Sequence, residues 1–176
     1  MKLTFEKDIK EKQVKDLAQK MLIAARTAPK ACGIDNLEIA LVENDGIKEI
    51  SAKMIALVQS EKAPEFFKRD AQNILQAQCL VLIGTKISPL GLNCKLCGFE
   101  SCKNKNSNHP CIFNTGDLGI AIGSAVSIAC DNRIDSRVMY SVGKIAVEMK
   151  LLGKDIKIAY GIPLSASSKN PFFDRK

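Results

Sequence analysis

Asp117-Leu-Gly-Ile-Ala-Ile-Gly-Ser-Ala-Val-Ser-Ile-Ala-Cys130 is the stretch on which the fold of this chain turns. After Asp117 its only polar members are small, and apolar residues occur all round the helical wheel. A helix of that kind must be covered on most sides, and its glycines let another backbone come close. Asn114 or Thr115 is placed to cap it, with Asp117 near the positive end of the helix dipole. The apolar run Leu118–Cys130 is too short to cross a bilayer. A core helix and no membrane span are expected.

Working outward, Ser136–Leu152 carries Val138, Val142, Ile145, Met149 and Leu152 on one side, an amphipathic helix capped by Asp135 and stopped by Gly153. Asp155–Tyr160 reads as a last strand, and Ser165–Lys176 as a polar tail. Towards the N-terminus, Val14, Leu17, Met21, Ala24, Ala25 and Ala28 recur at helical spacing from Ile9 until Pro29 ends the pattern. Leu37–Val42 alternates as a strand, with Asn44-Asp45-Gly46 as its turn. Helices are expected from Ile47 to Gln59 and from Pro64 towards Ala77. The continuous apolar run Cys79–Gly84 suits a strand covered on both faces. No repeat or linker divides the chain, so residues 1–176 read as one α+β domain with a sheet and flanking helices.

Residues 88–114 break this pattern. They are rich in Gly, Asn, Lys and Cys, lack periodicity, and are long for a loop in a compact domain. Cys94, Cys97, Cys102 and Cys111 fall there with spacings of two, four and eight intervening residues. Thiolates are soft ligands that select zinc or iron–sulfur clusters. A 4Fe–4S cluster takes one thiolate per iron, from a backbone flexible enough to wrap it and aim amides at sulfur. Gly91 and Gly98 supply that freedom, Lys95, Lys103 and Lys105 offset thiolate charge, and Phe99 and Phe113 can exclude water. The alternative is a structural zinc site, either of four cysteines or with His109 replacing one. Cys79 and Cys130 lie in apolar runs and read as core residues. Cys32 stands in a turn with no sign of nucleophilic use. His109 is the chain's one histidine, which weakens Cys–His catalysis, and the sequence names no general acid or base.

Composition narrows the classes further. Hydrophobic residues make up 46% and charged residues 26%, which argues against disorder. The net charge of +7 comes from lysines alternating with acids, and aromatics are only 5%, so no nucleic-acid surface is expected. The N-terminal residues lack the apolar segment of a signal peptide, which makes a cytoplasmic location the expectation. Seven cysteines, an odd number, then favour metal or redox use over a disulfide framework.

Cys94-Lys-Leu-Cys97-Gly98-Phe-Glu-Ser-Cys102, Pro110-Cys111, Asp117-Leu118-Gly119-Ile120-Ala121-Ile122-Gly123-Ser124 and Gly161-Ile-Pro-Leu-Ser-Ala-Ser-Ser-Lys-Asn-Pro-Phe-Phe-Asp174-Arg175 resemble a family of uncharacterised ferredoxin-domain proteins of bacteria and archaea. The resemblance covers nearly the whole chain and implies an iron–sulfur role, with Cys94, Cys97, Cys102 and Cys111 as ligands. The first three cysteines are also similar to the 4Fe–4S loop in subunits of membrane electron-transport complexes, where the fourth lies further away. Ala25-Arg26-Thr27-Ala28-Pro29-Lys30, the strand from Leu37, the Asp117 helix and Gly161-Ile162-Pro163 look like the framework of FMN-dependent nitroreductases. That likeness implies a nitroreductase-like sandwich of a mixed sheet with helices, and a homodimer joined through the Leu118–Cys130 helix. It also implies a flavin near Arg26, Pro29, Lys30 and Arg175. The paired arginines that hold flavin phosphate in that family are missing, and Lys30 replaces a serine.

The functions in play are therefore three. The first is a 4Fe–4S electron carrier or oxidoreductase component, with or without FMN, exchanging electrons with a partner protein or small molecule. The second is a zinc-stabilised binding protein, and the third a flavin reductase with a structural metal loop.

Overall fold

A computed structural model describes residues 1–173. The elements run α1 (Glu6–Thr27), β1 (Leu37–Val42), α2 (Asn44–Gln59), α3 (Phe66–Ile74), β2 (Cys79–Lys86), α4 (Ile112–Asp131), β3 (Asp135–Ser136), α5 (Tyr140–Glu148) and β4 (Ile156–Ser165). The strand order is β1-β2-β4-β3. Where a mixed sheet is expected, every strand pair among the described residues is antiparallel.

Because successive strand side chains point to opposite faces, β2 feeds two cores. Cys79, Val81 and Ile83 face α1 and α4, meeting Val14, Ala18, Met21, Ala25, Leu118, Ala121 and Ala125. Leu80 and Leu82 face α2, α3 and α5, meeting Ile50, Met54, Phe67, Ile74, Val142 and Ile145. The result is three layers, with β2 buried from Cys79 to Thr85, as its apolar run requires. Each such Val, Leu or Ile buried contributes roughly 1.5–3 kcal/mol.

Three local expectations are corrected. Residue 44 opens α2 directly, with Asn44 in the left-handed region at φ 42°, so the Asn44-Asp45-Gly46 turn and the first helical turn are one. Asp135 is no cap: with Ser136 it pairs to Ser165 and Leu164 as β3, which delays α5 to Tyr140. The core helix starts earlier than expected, with Cys111 at the N-cap position. Asn114 cannot cap it because its Oδ1 accepts from Ser88 N–H at 2.9 Å, and the Thr115 hydroxyl donates to Ile112 O at 2.9 Å.

With that early start α4 reaches 20 residues, and by length and composition alone it is long and apolar enough to cross a membrane, contrary to expectation. In this fold Leu118, Ala121, Ile122, Ala125 and Ala129 lie in the core against α1 and β2. Its other face is open. Cys130 lies there and is exposed, a correction to its reading as a core residue, whereas Cys79 is buried.

Candidate metal centre

The segment between β2 and α4 has no regular structure, and its shape comes from a few directed contacts. Its neck is tied by Ser88 N–H to Asn114 Oδ1, which joins the exit of β2 to the first turn of α4. Gly91, Asn93, Lys95 and Gly98 all adopt positive φ, at 77°, 49°, 61° and 83°. Four left-handed positions in eight residues coil the chain tightly around Cys94 and Cys97, and Gly98 N–H closes a turn on Lys95 O at 2.9 Å. Further along, the rings of Phe99 and His109 meet edge to face at 5.0 Å. Lys105 Nζ donates to the carbonyls of Asn106 and His109. The exposed pair Lys95–Glu100 at 2.6 Å adds little stability.

Cys94, Cys97 and Cys102 are half-buried and Cys111 is buried, 5% exposed. The structure places all four in this one segment. Among the described residues it does not gather three or more Cys, His, Asp or Glu side chains tightly enough to hold one metal ion. The fit therefore rests on donor chemistry. Four thiols suit zinc or an iron–sulfur cluster, and hard cations poorly. Two further features suit a sulfur-ligated group. Asn93 N–H points at Cys102 Sγ at 3.4 Å, the kind of amide–sulfur contact that supports a thiolate ligand. Asn114, one helical turn from Cys111, keeps its buried Nδ2 without a partner among the described residues. Such a donor is costly to leave unpaired. Neither asparagine stands out from the spacing of the cysteines. The usable signal was that Asn tolerates left-handed backbone, directly before the first cysteine.

The positions expected near a flavin fare differently. Arg26 donates to Asp35 Oδ2 at 2.6 Å and to Leu37 O at 3.0 Å, fastening the end of α1 to the start of β1. Partial burial alone would raise the Asp35 carboxyl. The Arg26 hydrogen bond, the Leu37 N–H and the charges of Arg26 and Lys30 outweigh it and hold Asp35 below its ordinary 3.8. Lys30 Nζ donates to the carbonyls of Ala25, Arg26 and Ala28 at 2.9, 2.5 and 2.7 Å, closing the C-terminus of α1. Pro29 is exposed and offers no N–H. Arg175 lies outside the described residues. Among the described residues, Arg26 and Lys30 are thus engaged in closing the end of α1. The same turn meets α4 instead: Ala31 N–H donates to both carboxylate oxygens of buried Asp117, at 3.1 and 3.2 Å.

Cys79 is no ligand candidate. It lies between the sheet and α1, and burial, followed by the charge of Glu43, pushes its thiol up to about 12.

A family model described as uncharacterized proteins containing a ferredoxin domain matches residues 107–175. An uncharacterized protein of Archaeoglobus fulgidus is 41% identical over 180 residues, covering 97% of this chain and 96% of that one. The chain belongs to this family. The segment matched by the ferredoxin-domain family model contains Cys111, α4, α5 and β4, while Cys94, Cys97 and Cys102 precede it.

Solved structures place the fold among nitroreductases. A nitroreductase with bound FMN from Bacteroides fragilis aligns with a TM-score of 0.63 at 12% identity, covering 92% of this chain and 81% of that one. A nitroreductase with bound FMN from Desulfitobacterium hafniense aligns at 0.61 and 14% identity, covering 88% and 78%. The chain has a nitroreductase-like α+β fold, as expected. The ferredoxin-domain family supports a redox role.

Proposed function

We propose that this protein is a 4Fe–4S electron-transfer protein or oxidoreductase component, with Cys94, Cys97, Cys102 and Cys111 as the cluster's ligands. The observation that carries it is four thiols within eighteen residues of one loop, with a backbone amide already donating to one of the sulfurs. A bound cluster would supply one-electron transfer. The chain's own residues do the rest. Cys111 sits buried where α4 begins and so fixes one side of the site to the core. Cys94, Cys97 and Cys102 come from the half-buried coil, open enough for a donor or acceptor to approach. Lys95, Lys103 and Lys105 lower the cost of concentrating negative charge there. The partner is a redox protein or a small-molecule electron carrier.

Anaerobic purification tests this. The holoprotein is expected to be brown, with broad absorption near about 400 nm that bleaches on reduction. A colourless protein with one bound zinc overturns the reading and supports the structural alternative. The feature that favours zinc is the Cys94–Cys97 pair, wound round the Gly98 turn as a short knuckle. FMN binding rests on fold likeness alone. Release of a yellow chromophore on denaturation would support it, and a flavin-free holoprotein would count against it.

A homodimer is proposed through the open face of α4. Gly116, Gly119 and Gly123 lie there with nothing within 4 Å of where a Cβ would be, beside Ile120 at 50% exposure. Such a face lets two helices approach closely. Light scattering is expected to give a dimer that Gly123→Glu converts to a folded monomer, and a monomeric wild-type protein would refute it.

A further inference from the structure

We infer that Asn93 is the positioning residue of the thiolate loop, holding Cys102 beside Cys94 before any metal is present. The inference rests on the cluster reading above and adds what assembles the site. Asn93 and Cys102 bond in both directions: Asn93 N–H donates to Cys102 Sγ at 3.4 Å, and Cys102 N–H donates to Asn93 Oδ1 at 2.8 Å. Two such bonds close residues 93–102 into a ring. Cys94 is the next residue after one end of that ring, and Cys102 is its other end. Between them the chain turns at Lys95, φ 61°, and Gly98, φ 83°, which places Cys97 within the same coil.

The residue type suits both tasks. Asn93 stands at φ 49°, a region that Asn tolerates better than other side chains apart from Gly. Its short amide reaches back to the backbone while its own N–H remains for the sulfur. Among the described residues, Lys95 and Glu100 are tied only to each other across this ring, and Asn104 N–H bonds locally to Ser101. No other side chain among the described residues donates to or accepts from Cys102. Without Oδ1, the Cys102 N–H would return to water and the ring would lose one of its two closing bonds. A metal would then have to order a mobile ligand instead of a placed one, which weakens binding. Outer contacts of this kind typically change metal affinity by about 10–100-fold.

Two substitutions separate the side chain from the backbone. Asn93→Gly keeps the left-handed conformation and the N–H to sulfur but removes Oδ1, and Asn93→Asp keeps the acceptor. In the metal-free, reduced protein, site-resolved alkylation by iodoacetamide is expected to speed up at Cys102 by about threefold in Asn93→Gly relative to Cys94 and Cys97. Asn93→Asp is expected to restore the wild-type rate, and all three proteins should show the same circular dichroism. Titration with cobalt(II), followed by its thiolate charge-transfer band, is expected to be about tenfold weaker in Asn93→Gly. An unchanged Cys102 rate in Asn93→Gly overturns the positioning role, even if the wild-type protein loads normally. A wild-type protein that takes up neither cobalt nor iron and sulfide overturns the cluster reading instead, while the alkylation rates still decide the role of Asn93.

Discussion

Replacing Gly143 with alanine tests how α5 is seated on the sheet. An ideal Cβ at this position would lie 1.8 Å from Ala159 O, 2.3 Å from Ala159 C and 2.5 Å from the Tyr160 Cα. All three are backbone atoms of β4, so no flexible side chain can yield. Helix and strand would have to separate by at least about 1 Å, loosening Val142, Ile145 and Ala146 from Ile156 and Ala159. Against this, alanine gains about 1 kcal/mol over glycine in a helix. Forcing a methyl into a filled interface costs about 1–3 kcal/mol, and against unyielding backbone about 3–4 kcal/mol. The net expectation is a loss of about 2–3 kcal/mol. At about 2–4 °C per kcal/mol for a chain of this size, the melting temperature should fall by about 4–12 °C. Urea unfolding followed by circular dichroism should show a lower midpoint with an unchanged slope. A Gly143→Ala protein as stable as wild type, or more so, would refute the close approach of α5 to β4.

Two further outcomes follow from the titrating groups. The Asp35 carboxyl is held below its ordinary 3.8, so its contribution to stability is complete above that value and is lost as pH falls through the lower folded value. Asp35→Asn should therefore flatten the acid limb of the stability curve below about pH 5, and an unchanged limb would show that the Arg26–Asp35 pair contributes nothing. Cys79, pushed up to about 12 by burial, should resist iodoacetamide at pH 8 in the folded protein while exposed Cys32 reacts. Mass spectrometry finding Cys79 labelled as fast as Cys32 would contradict the buried assignment.

Local pattern carried much of the fold. β1 occupies Leu37–Val42 as its alternation indicates, and the apolar run from Cys79 is the doubly covered central strand. What it could not carry were decisions made by distant partners. Asp135 joins a strand because Ser165 lies opposite, and Asn114 gives up capping because Ser88 N–H reaches it across the loop. Cys130 sits in an apolar run yet faces outward, because residue composition does not say which side of α4 lacks a neighbour. At the site, spacing identified the four cysteines as a group. It did not reveal Asn93, whose role depends on backbone turns, nor that Arg26 and Lys30 serve the end of α1.

Iron, acid-labile sulfide and zinc, quantified with the visible spectrum of protein purified without oxygen, test the central claim most directly. The account predicts about four iron and four sulfide per chain, with the colour lost when Cys94, Cys97 or Cys102 is changed to alanine. One zinc per chain and no visible absorption would contradict it.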